Sequence, residues 1–182
     1  MDRGLVILDR DGVINRDSSS FVKTPAEWVP LPGSIQAIAK LSRAGFRVAV
    51  ASNQSGLARG LFERKALRAM HRKLRRLVEA EGGTIARIEV CPHGPNDGCS
   101  CRKPRPGLLN RLGRRFGVAL DGVPMIGDSL RDLEAAMSAG GRPILVRTGN
   151  GRKTEAELTG ALAKTEVFDD LSAAAAALIG ER

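Results

Sequence analysis

Aromatic residues are scarce in this chain, which has no tyrosine, a single tryptophan and 3% aromatic residues overall. Proteins that hold single-stranded nucleic acid use aromatic side chains on which the bases stack. The composition therefore argues against a nucleic-acid partner. The formal net charge of +9 would attract any anion, so it does not distinguish a nucleic acid from a phosphorylated metabolite as the partner.

Long apolar runs are also absent near the start of the chain. The run of residues 5–8 ends at Asp9, Arg10 and Asp11, and is far shorter than a signal peptide or a membrane span of about 20 residues. We therefore expect a cytoplasmic protein with no membrane partner.

Cysteine is rare, and all three cysteines lie within residues 91–101. Their odd number and the close spacing of Cys99 and Cys101 do not suit a disulfide framework. With His93, the three thiolates form a ligand set that closes a tetrahedral structural Zn²⁺ site and leaves no position for a catalytic water. Iron with the same ligands, or free buried thiols, are the alternatives. The predicted ligands are Cys91, His93, Cys99 and Cys101.

Short runs rich in β-branched residues alternate with segments of helical spacing. The strand-like runs are 5–8, 46–52, 85–90, 123–128 and 143–149, and the helical segments are 34–45, 62–82, 106–117 and 130–140. This alternation predicts an α/β fold with a doubly wound parallel sheet that helices cover on both faces. The length of 182 residues and the uniform composition predict a single domain, 1–182, with the metal-binding loop 91–101 inserted into it.

The predicted helix 62–82 is basic and amphipathic. Its lysines and arginines surround an apolar stripe, a pattern typical of a solvated face over a core contact. A nucleic-acid docking surface is the alternative. We interpret His71 in this helix as a surface or packing residue, and Trp28 as a packing anchor for the segment before residue 34.

Polar residues follow several predicted strands at the ends where open α/β sheets bind their ligands. Asp9 and Asp11 follow the first strand, and Asp128 and Asp132 follow the fourth. Either pair alone could be a surface turn or a helix cap. Together in one sheet they indicate a hard cation such as Mg²⁺, because clustered carboxylates repel one another. With the donors of residues 52–55 and the charge of Lys103, this edge of the sheet suits phosphoryl transfer.

These elements, in this order, resemble the haloacid dehalogenase superfamily of phosphohydrolases. The segment "DRDGVIN" is similar to its first motif, Ser52 to its second, Lys103 to its third and "GDSLRD" to its fourth. The resemblance implies that Asp9 is the nucleophile that forms an aspartyl-phosphate and that Asp11 is the general acid and base. It further implies that Ser52 and Lys103 hold the phosphoryl oxygens. Mg²⁺ would be bound by the Asp9 side chain, the Asp11 backbone carbonyl and Asp128, while Asp132 supports the site.

The short intervals between these motifs leave no room for a cap domain, so we expect an open site shaped by loops. The zinc loop followed by "CRKP" resembles two capless groups, the heptose 1,7-bisphosphate 7-phosphatases and the histidinol-phosphate phosphatases, and "SNQSGLARG" favours the first. That resemblance implies removal of the 7-phosphate to give heptose 1-phosphate. Histidinol phosphate and, more remotely, polynucleotide ends are the alternative substrates. The implied substrate contacts are Asp17, Asn53, Gln54, Ser55 and Arg102, with Arg59 as a candidate for a second phosphate. We expect a monomer with a small phosphorylated sugar as substrate.

Overall fold

The sheet of this protein contains six parallel strands in the order β3-β2-β1-β4-β5-β6. The structure is a computed structural model that describes residues 3–181. The strands are β1 (Leu5–Leu8), β2 (Arg47–Asn53), β3 (Arg87–Cys91), β4 (Pro124–Gly127), β5 (Arg142–Val146) and β6 (Glu166–Phe168). The helices are α1 (Ser34–Arg43), α2 (Arg64–Ala80), α3 (Gly107–Phe116), α4 (Leu130–Ser138), α5 (Gly151–Ala156) and α6 (Leu171–Gly180), with a 3-10 helix at Gly160–Lys164.

Alternate residues of the central strands supply the cores on the two faces of the sheet. In β1, Val6 and Leu8 face one core, which α1, α2 and α6 cover, while Leu5 and Ile7 face a second core, which α3 and α4 cover. Because both faces are buried, all four residues of β1 are apolar and at most 3% exposed. The predicted doubly wound parallel sheet is confirmed.

The chain reverses its winding direction at β1. Strands β2 and β3 lie on one side of β1, and β4, β5 and β6 lie on the other. At such a switch point the loops that follow neighbouring strands diverge and leave a crevice beyond the carboxyl ends. Asp9 follows β1 directly, so the first predicted motif lies at this crevice.

A loop between β1 and α1 is fixed to the body of the protein by Trp28, which is fully buried in the core. Lys73 of α2 donates hydrogen bonds of 2.7 Å to the backbone carbonyls of Pro25 and Trp28, and its ammonium lies 5.7 Å from the indole centroid. The expected packing role of Trp28 therefore agrees with its position.

Two elements near the end of the chain were not foreseen from the sequence. Strand β6 has only three residues, and α5 has only six, so neither carries enough periodicity to stand out. Among the described residues no helix is long and apolar enough to cross a bilayer.

Candidate active site

A polar cavity of about 290 Å³ lies at the crevice beyond β1. Every main structural segment that sequence analysis singled out for phosphoryl transfer contributes to its wall. The residues that line it include Asp9, Arg10, Asp11, Asp17, Phe21, Asn53, Gln54, Ser55, Arg59, Arg102, Lys103, Asp128, Arg131, Asp132 and Asn150.

Lys103 is buried on the floor of this cavity and lies between two carboxylates. Its ammonium is 2.8 Å from Asp9 Oδ1 and 2.7 Å from Asp132 Oδ1, and it donates a third hydrogen bond of 2.7 Å to the carbonyl of Ala51. All three donors of the ammonium are thus used. Burial acts to lower the pKa of Lys103, but the charges of Asp132 and Asp9 outweigh it, so the pKa lies above its usual range. The lysine is therefore a fixed positive charge.

Asp128 lies beside this ion-pair network at the start of α4. Its Oδ2 accepts hydrogen bonds of 2.8 Å and 3.1 Å from the backbone and side chain of Asn150, in the loop after β5. Gly12, with a φ of 85°, packs so closely that a Cβ atom there would collide with the Asp128 carboxylate. The sequence motif needs glycine at this position for that close approach.

Asp132 belongs to the same acidic cluster, and its second carboxylate oxygen accepts hydrogen bonds from the residues that precede α4. Its Oδ2 accepts hydrogen bonds from the backbone amides of Asp128 and Ser129 and from the Ser129 hydroxyl, at 3.2, 3.1 and 2.8 Å. These bonds fix the first turn of α4 and hold Asp132 against Lys103. Asp132 thus contacts Lys103 at 2.7 Å, and its supporting role in the reaction stays a prediction.

The carboxylates of Asp9, Asp128 and Asp132 form a group that suits a divalent cation. One oxygen of each lies within 4.8 Å of the others. Burial, followed by the charge of Asp132, raises the pKa of Asp9 well above its usual value and that of Asp128 to about 7. These shifts mean that the clustered negative charge is costly, even with Lys103 paired to Asp9 and Asp132. Carboxylate oxygens are the ligands that Mg²⁺ prefers, so the residues fit this ion.

The side chains of three residues donate hydrogen bonds to the carboxylate of Asp11. Arg10 makes a two-point ion pair with it at 2.7 and 3.0 Å, and Asn15 and Gln54 donate further hydrogen bonds of 2.9 and 2.8 Å. Burial acts to raise the pKa of Asp11, but the Arg10 charge and these hydrogen bonds hold it below its usual value. His71 lies 3.5 Å from the Arg10 guanidinium.

Arg10 is 1% exposed and was missed in the sequence analysis, as was its contact with His71. An arginine between two aspartates suggests a surface turn, and only the tertiary fold shows that α2 packs over it. Asn150 was missed as well, although its position directly after the strand-like run 143–149 of the sequence is a usable signal.

The other predicted site residues lie around the same cavity, and their side chains differ in solvent exposure. Ser52 is 1% exposed, and its hydroxyl accepts a hydrogen bond of 2.7 Å from Gln54. Asn53 holds the backbone of Lys103 through two bonds of 3.1 Å, while Ser55 lines the cavity. Asp17 is exposed, and its Oδ2 accepts a hydrogen bond of 3.4 Å from the side chain of Asn150.

Arg102 is half-buried and donates to the carbonyl of His93 at 3.3 Å. Burial, followed by the nearby charge of Arg131, lowers its pKa from the usual value. Arg102 therefore connects the predicted zinc loop with the predicted phosphate site.

The four soft ligands of residues 91–101 come together next to this wall. Their sulfur and Nδ1 atoms are 3.1 to 3.7 Å apart where they contact one another. Four ligands about 2.3 Å from a tetrahedral zinc ion would be separated by about 3.8 Å, so the cluster fits this ion with little adjustment. Burial raises the pKa of Cys91 to about 12, a cost that a bound cation would remove.

Comparison with known proteins decides the family. Curated D-glycero-β-D-manno-heptose-1,7-bisphosphate 7-phosphatases from Bordetella bronchiseptica and Pseudomonas aeruginosa are 56% and 54% identical to the chain. The first alignment covers 97% of this chain and 98% of the relative, and the second covers 98% and 99%. The chain belongs to the heptose-bisphosphate 7-phosphatase family. The expected resemblance is confirmed.

Solved structures of this family agree with the fold described above. A crystal structure of the heptose 1,7-bisphosphate phosphatase from B. bronchiseptica, complexed with magnesium and phosphate, matches over all of both chains with a TM-score of 0.94 and 55% identity. The corresponding enzyme from Burkholderia thailandensis matches with a TM-score of 0.77 and 44% identity, over 98% of this chain and 100% of that one.

Two broader family models also match this chain. One, described as HAD-hydrolase-like, matches residues 100–174, and one described as polynucleotide kinase 3 phosphatase matches residues 5–128. The second match covers the motifs that phosphohydrolases of this fold share. The full-length relatives therefore favour the sugar phosphatase over the polynucleotide alternative.

Proposed function

We propose that this protein is a Mg²⁺-dependent phosphomonoesterase that removes the 7-phosphate of D-glycero-β-D-manno-heptose 1,7-bisphosphate and releases heptose 1-phosphate. The observation that carries the proposal is the identity of 56% with such an enzyme over nearly the whole chain. The cavity supports it, because a nucleophilic carboxylate, a fixed lysine and a cation-binding acidic group lie together at the switch point of the sheet.

In the first half-reaction an oxygen of Asp9 attacks phosphorus. The bond between phosphorus and the oxygen of C7 breaks, and that oxygen takes a proton from Asp11. Lys103 lies 2.8 Å from Asp9, where its charge stabilises both the nucleophile and the phosphoryl oxygens. The entering phosphate adds negative charge beside Asp11 and raises its pKa relative to the free protein, which favours the protonated form that this step needs.

In the second half-reaction Asp11 accepts a proton from a water molecule that attacks phosphorus. The bond between phosphorus and Asp9 breaks, and inorganic phosphate leaves. The carboxylate form of Asp11 that this step needs is the one that Arg10, Asn15 and Gln54 stabilise in the free protein. One residue thus serves as acid and then as base.

We assign the Mg²⁺ site to the side chains of Asp9 and Asp128 and the backbone carbonyl of Asp11. The ion supplies positive charge that keeps the clustered carboxylates deprotonated and neutralises the phosphoryl group. Asp132 positions Lys103 through their contact at 2.7 Å. Ser52 and Lys103 are the proposed contacts of the transferred phosphoryl group, and the proposed substrate contacts are Asp17, Asn53, Gln54, Ser55 and Arg102.

We further propose that Cys91, His93, Cys99 and Cys101 bind a structural Zn²⁺ ion. Because Arg102 follows the last ligand and bonds to the carbonyl of His93, the ion would fix Arg102 and Lys103 in the cavity wall. In this proposal residues 1–182 act as one phosphatase domain, and 91–101 is its zinc loop.

We propose a cytoplasmic monomer that has no nucleic-acid partner. Three unpaired thiols gathered at one ligand cluster suit a reducing compartment. Among residues 3–181 the exposed large apolar side chains, Val29, Leu61 and Met137, lie in different segments of the chain, as expected for a monomer.

Phosphate release from a panel of substrates tests the proposed function. The panel contains both anomers of the heptose 1,7-bisphosphate, histidinol phosphate and a 3′-phosphorylated oligonucleotide, with Mg²⁺ in every assay. We expect the β-anomer to have the highest kcat/KM. The Asp9→Asn variant, which keeps the size of the side chain, should be inactive with every substrate.

The two alternative functions are distinct outcomes of the same panel. A preference for histidinol phosphate would show that "SNQSGLARG" does not select the heptose. A preference for the oligonucleotide, lost steeply as salt rises, would assign the basic helix α2 to nucleic acid. Either result would overturn the proposed substrate.

A further inference from the structure

Arg10 carries a buried positive charge in the wall of the cavity. Its side chain is 1% exposed, and that of its ion-pair partner Asp11 is 21% exposed. A buried ion pair is weak evidence for stability, because apolar side chains of similar volume often stabilise a fold as well or better. A buried arginine beside the proposed general acid therefore points to a role in the reaction.

Arg10 holds the carboxylate of Asp11 through three contacts. Its Nη2 donates to Oδ1 at 2.7 Å and to Oδ2 at 3.0 Å, and its Nε donates to Oδ1 at 3.1 Å. A planar guanidinium that contacts both oxygens fixes the plane of the carboxylate as well as its place. Asn15 and Gln54 each add one hydrogen bond. Arg10 thus makes more contacts with this carboxyl group than either of the other two donors.

The remaining nitrogen of the Arg10 guanidinium faces helix α2. Its Nη1 lies 3.5 Å from Nε2 of His71. Burial, followed by the charge of Arg10, lowers the pKa of His71 to about 3, so the imidazole is neutral at neutral pH. A neutral ring with its proton on Nδ1 accepts a hydrogen bond at Nε2 from the guanidinium. A chain of contacts therefore runs from α2 through Arg10 to Asp11.

Helix α2 gives this chain of contacts a rigid base. Met70 and Leu74, which lie on either side of His71 in the sequence, are fully buried in the core. A catalytic group keeps its productive geometry when the residues that support it are themselves locked by packing. The position of His71 on a well-packed helix meets this condition.

We propose that Arg10 is a positioning residue for Asp11 and that His71 of α2 holds Arg10 in place. The packing of this helix then sets where the leaving oxygen receives its proton. This inference rests on the proposed function. In the acid step one proton moves from Asp11 to the oxygen of C7, while the bond between that oxygen and phosphorus breaks. The two oxygens must come within hydrogen-bond distance for this transfer, so the place of the Asp11 carboxyl group decides its rate.

The dependence of the rate on the leaving group measures this position. An alkoxide needs the proton of Asp11 to leave, whereas 4-nitrophenolate and acetate leave without one. We would divide kcat/KM for heptose 1,7-bisphosphate by kcat/KM for 4-nitrophenyl phosphate or acetyl phosphate, whichever wild type hydrolyses faster. Because kcat/KM ends at the formation of the aspartyl-phosphate, the later role of Asp11 as a base does not enter this ratio. A general loss of folding or cation binding lowers both rates and leaves the ratio unchanged.

Two pairs of variants separate position from charge. Arg10→Lys keeps the charge without the two-point contact, and Arg10→Met loses both, so each should lower the ratio by about 100-fold. His71→Leu should lower it by about fivefold. His71→Gln, whose Oε1 replaces the accepting Nε2, should keep the wild-type ratio. Arg72→Gln, at an exposed position next to His71, should also leave the ratio unchanged.

Several results would overturn this inference. A wild-type ratio in either Arg10 variant would show that the two-point contact does not position Asp11. Equal ratios in His71→Leu and His71→Gln would show that the acceptor on α2 does not act through Arg10.

Urea denaturation gives a second readout that needs no substrate. The Arg10→Met/His71→Leu double variant should lose less unfolding free energy than the sum of the two single variants, since the two residues contact each other. Strictly additive losses would show that His71 does not hold Arg10.

The proposed substrate can fail independently of this inference. If wild type prefers histidinol phosphate, which is also an alkyl ester, the heptose assignment is wrong. The same ratio measured with histidinol phosphate then decides the roles of Arg10 and His71.

Discussion

Replacement of Lys103 by methionine should destabilise the protein far more than replacement of a surface arginine that has the same number of carboxylate partners. The Lys103 side chain is 5% exposed, and its partners Asp9 and Asp132 are 13% and 9% exposed. Methionine fills the space of the lysine stem but leaves two buried carboxylates without their cation. Removal of one partner from a buried ion pair costs about 3–5 kcal/mol, and we expect a loss of unfolding free energy in this range.

Arg142 provides the matched control. It also contacts two carboxylates, Glu166 at 2.6 Å and Glu181 at 2.7 Å, but its side chain is 30% exposed and theirs are 45% and 48% exposed. Solvent screens such pairs, so Arg142→Met should cost only about 1–2 kcal/mol for both contacts together.

Urea denaturation without added Mg²⁺, followed by circular dichroism at constant zinc, measures both variants. The Lys103→Met/Asp132→Asn double variant should be less destabilised than the sum of the single variants by about 1–3 kcal/mol, since the two residues contact each other. The reasoning would be refuted if Lys103→Met cost no more than Arg142→Met. A strictly additive double variant would equally contradict the ion-pair network.

Gly12→Ala should abolish phosphatase activity, because its Cβ would collide with the Asp128 carboxylate, whereas Gly60→Ala, also at positive φ but with open space around it, should keep most activity. Cys99→Ser should weaken zinc retention during dialysis against a chelator, with activity lost in parallel with the metal. Burial, followed by the charge of Arg10, lowers the pKa of His71 to about 3. His71 should therefore make the fold sensitive to acid. Its unfolded form binds a proton below about pH 6.5, so stability falls as pH drops, by about 2 kcal/mol at pH 5, and His71→Gln should remove that part of the loss.

Each of these three predictions has an outcome that contradicts it. Comparable activity of the two alanine variants would mean that the Asp128 carboxylate is not confined by Gly12. If metal analysis shows that the protein is free of zinc and the protein is still fully active, the zinc loop is not needed for catalysis. For His71, the readout is the difference in unfolding free energy between pH 8 and pH 5, and an equal difference in wild type and His71→Gln would exclude the proposed linkage.

The sheet and the positions of the acidic residues were predictable from sequence because their signals are local. Each predicted strand is a short run rich in β-branched residues that ends in a polar or glycine residue. Parallel strands bring those ends to one edge of the sheet. Asp9, Lys103 and Asp128 therefore meet as expected, although they are far apart in the chain. Strand β6 and helix α5 escaped prediction because three and six residues carry too little periodicity.

The partners of individual charges were not predictable, because they depend on packing between distant elements. The contact between Arg10 and His71 exists only because α2 lies over the loop after β1. Asn53 uses one N–H and one lone pair of its amide to hold the backbone of Lys103, which leaves only its second N–H and second lone pair for a substrate. Sequence gives the side-chain chemistry of such residues, while the tertiary structure decides whether that chemistry faces the cavity.

The most direct test of the account is the position of the phosphate that is removed. Phosphorus NMR during turnover of D-glycero-β-D-manno-heptose 1,7-bisphosphate distinguishes the ester at C7 from the glycosyl phosphate at C1. We predict that the C7 signal is replaced by inorganic phosphate while the C1 signal persists, and that Asp9→Asn leaves both signals unchanged. Loss of the C1 phosphate, or turnover by the Asp9→Asn variant, would contradict the central claim.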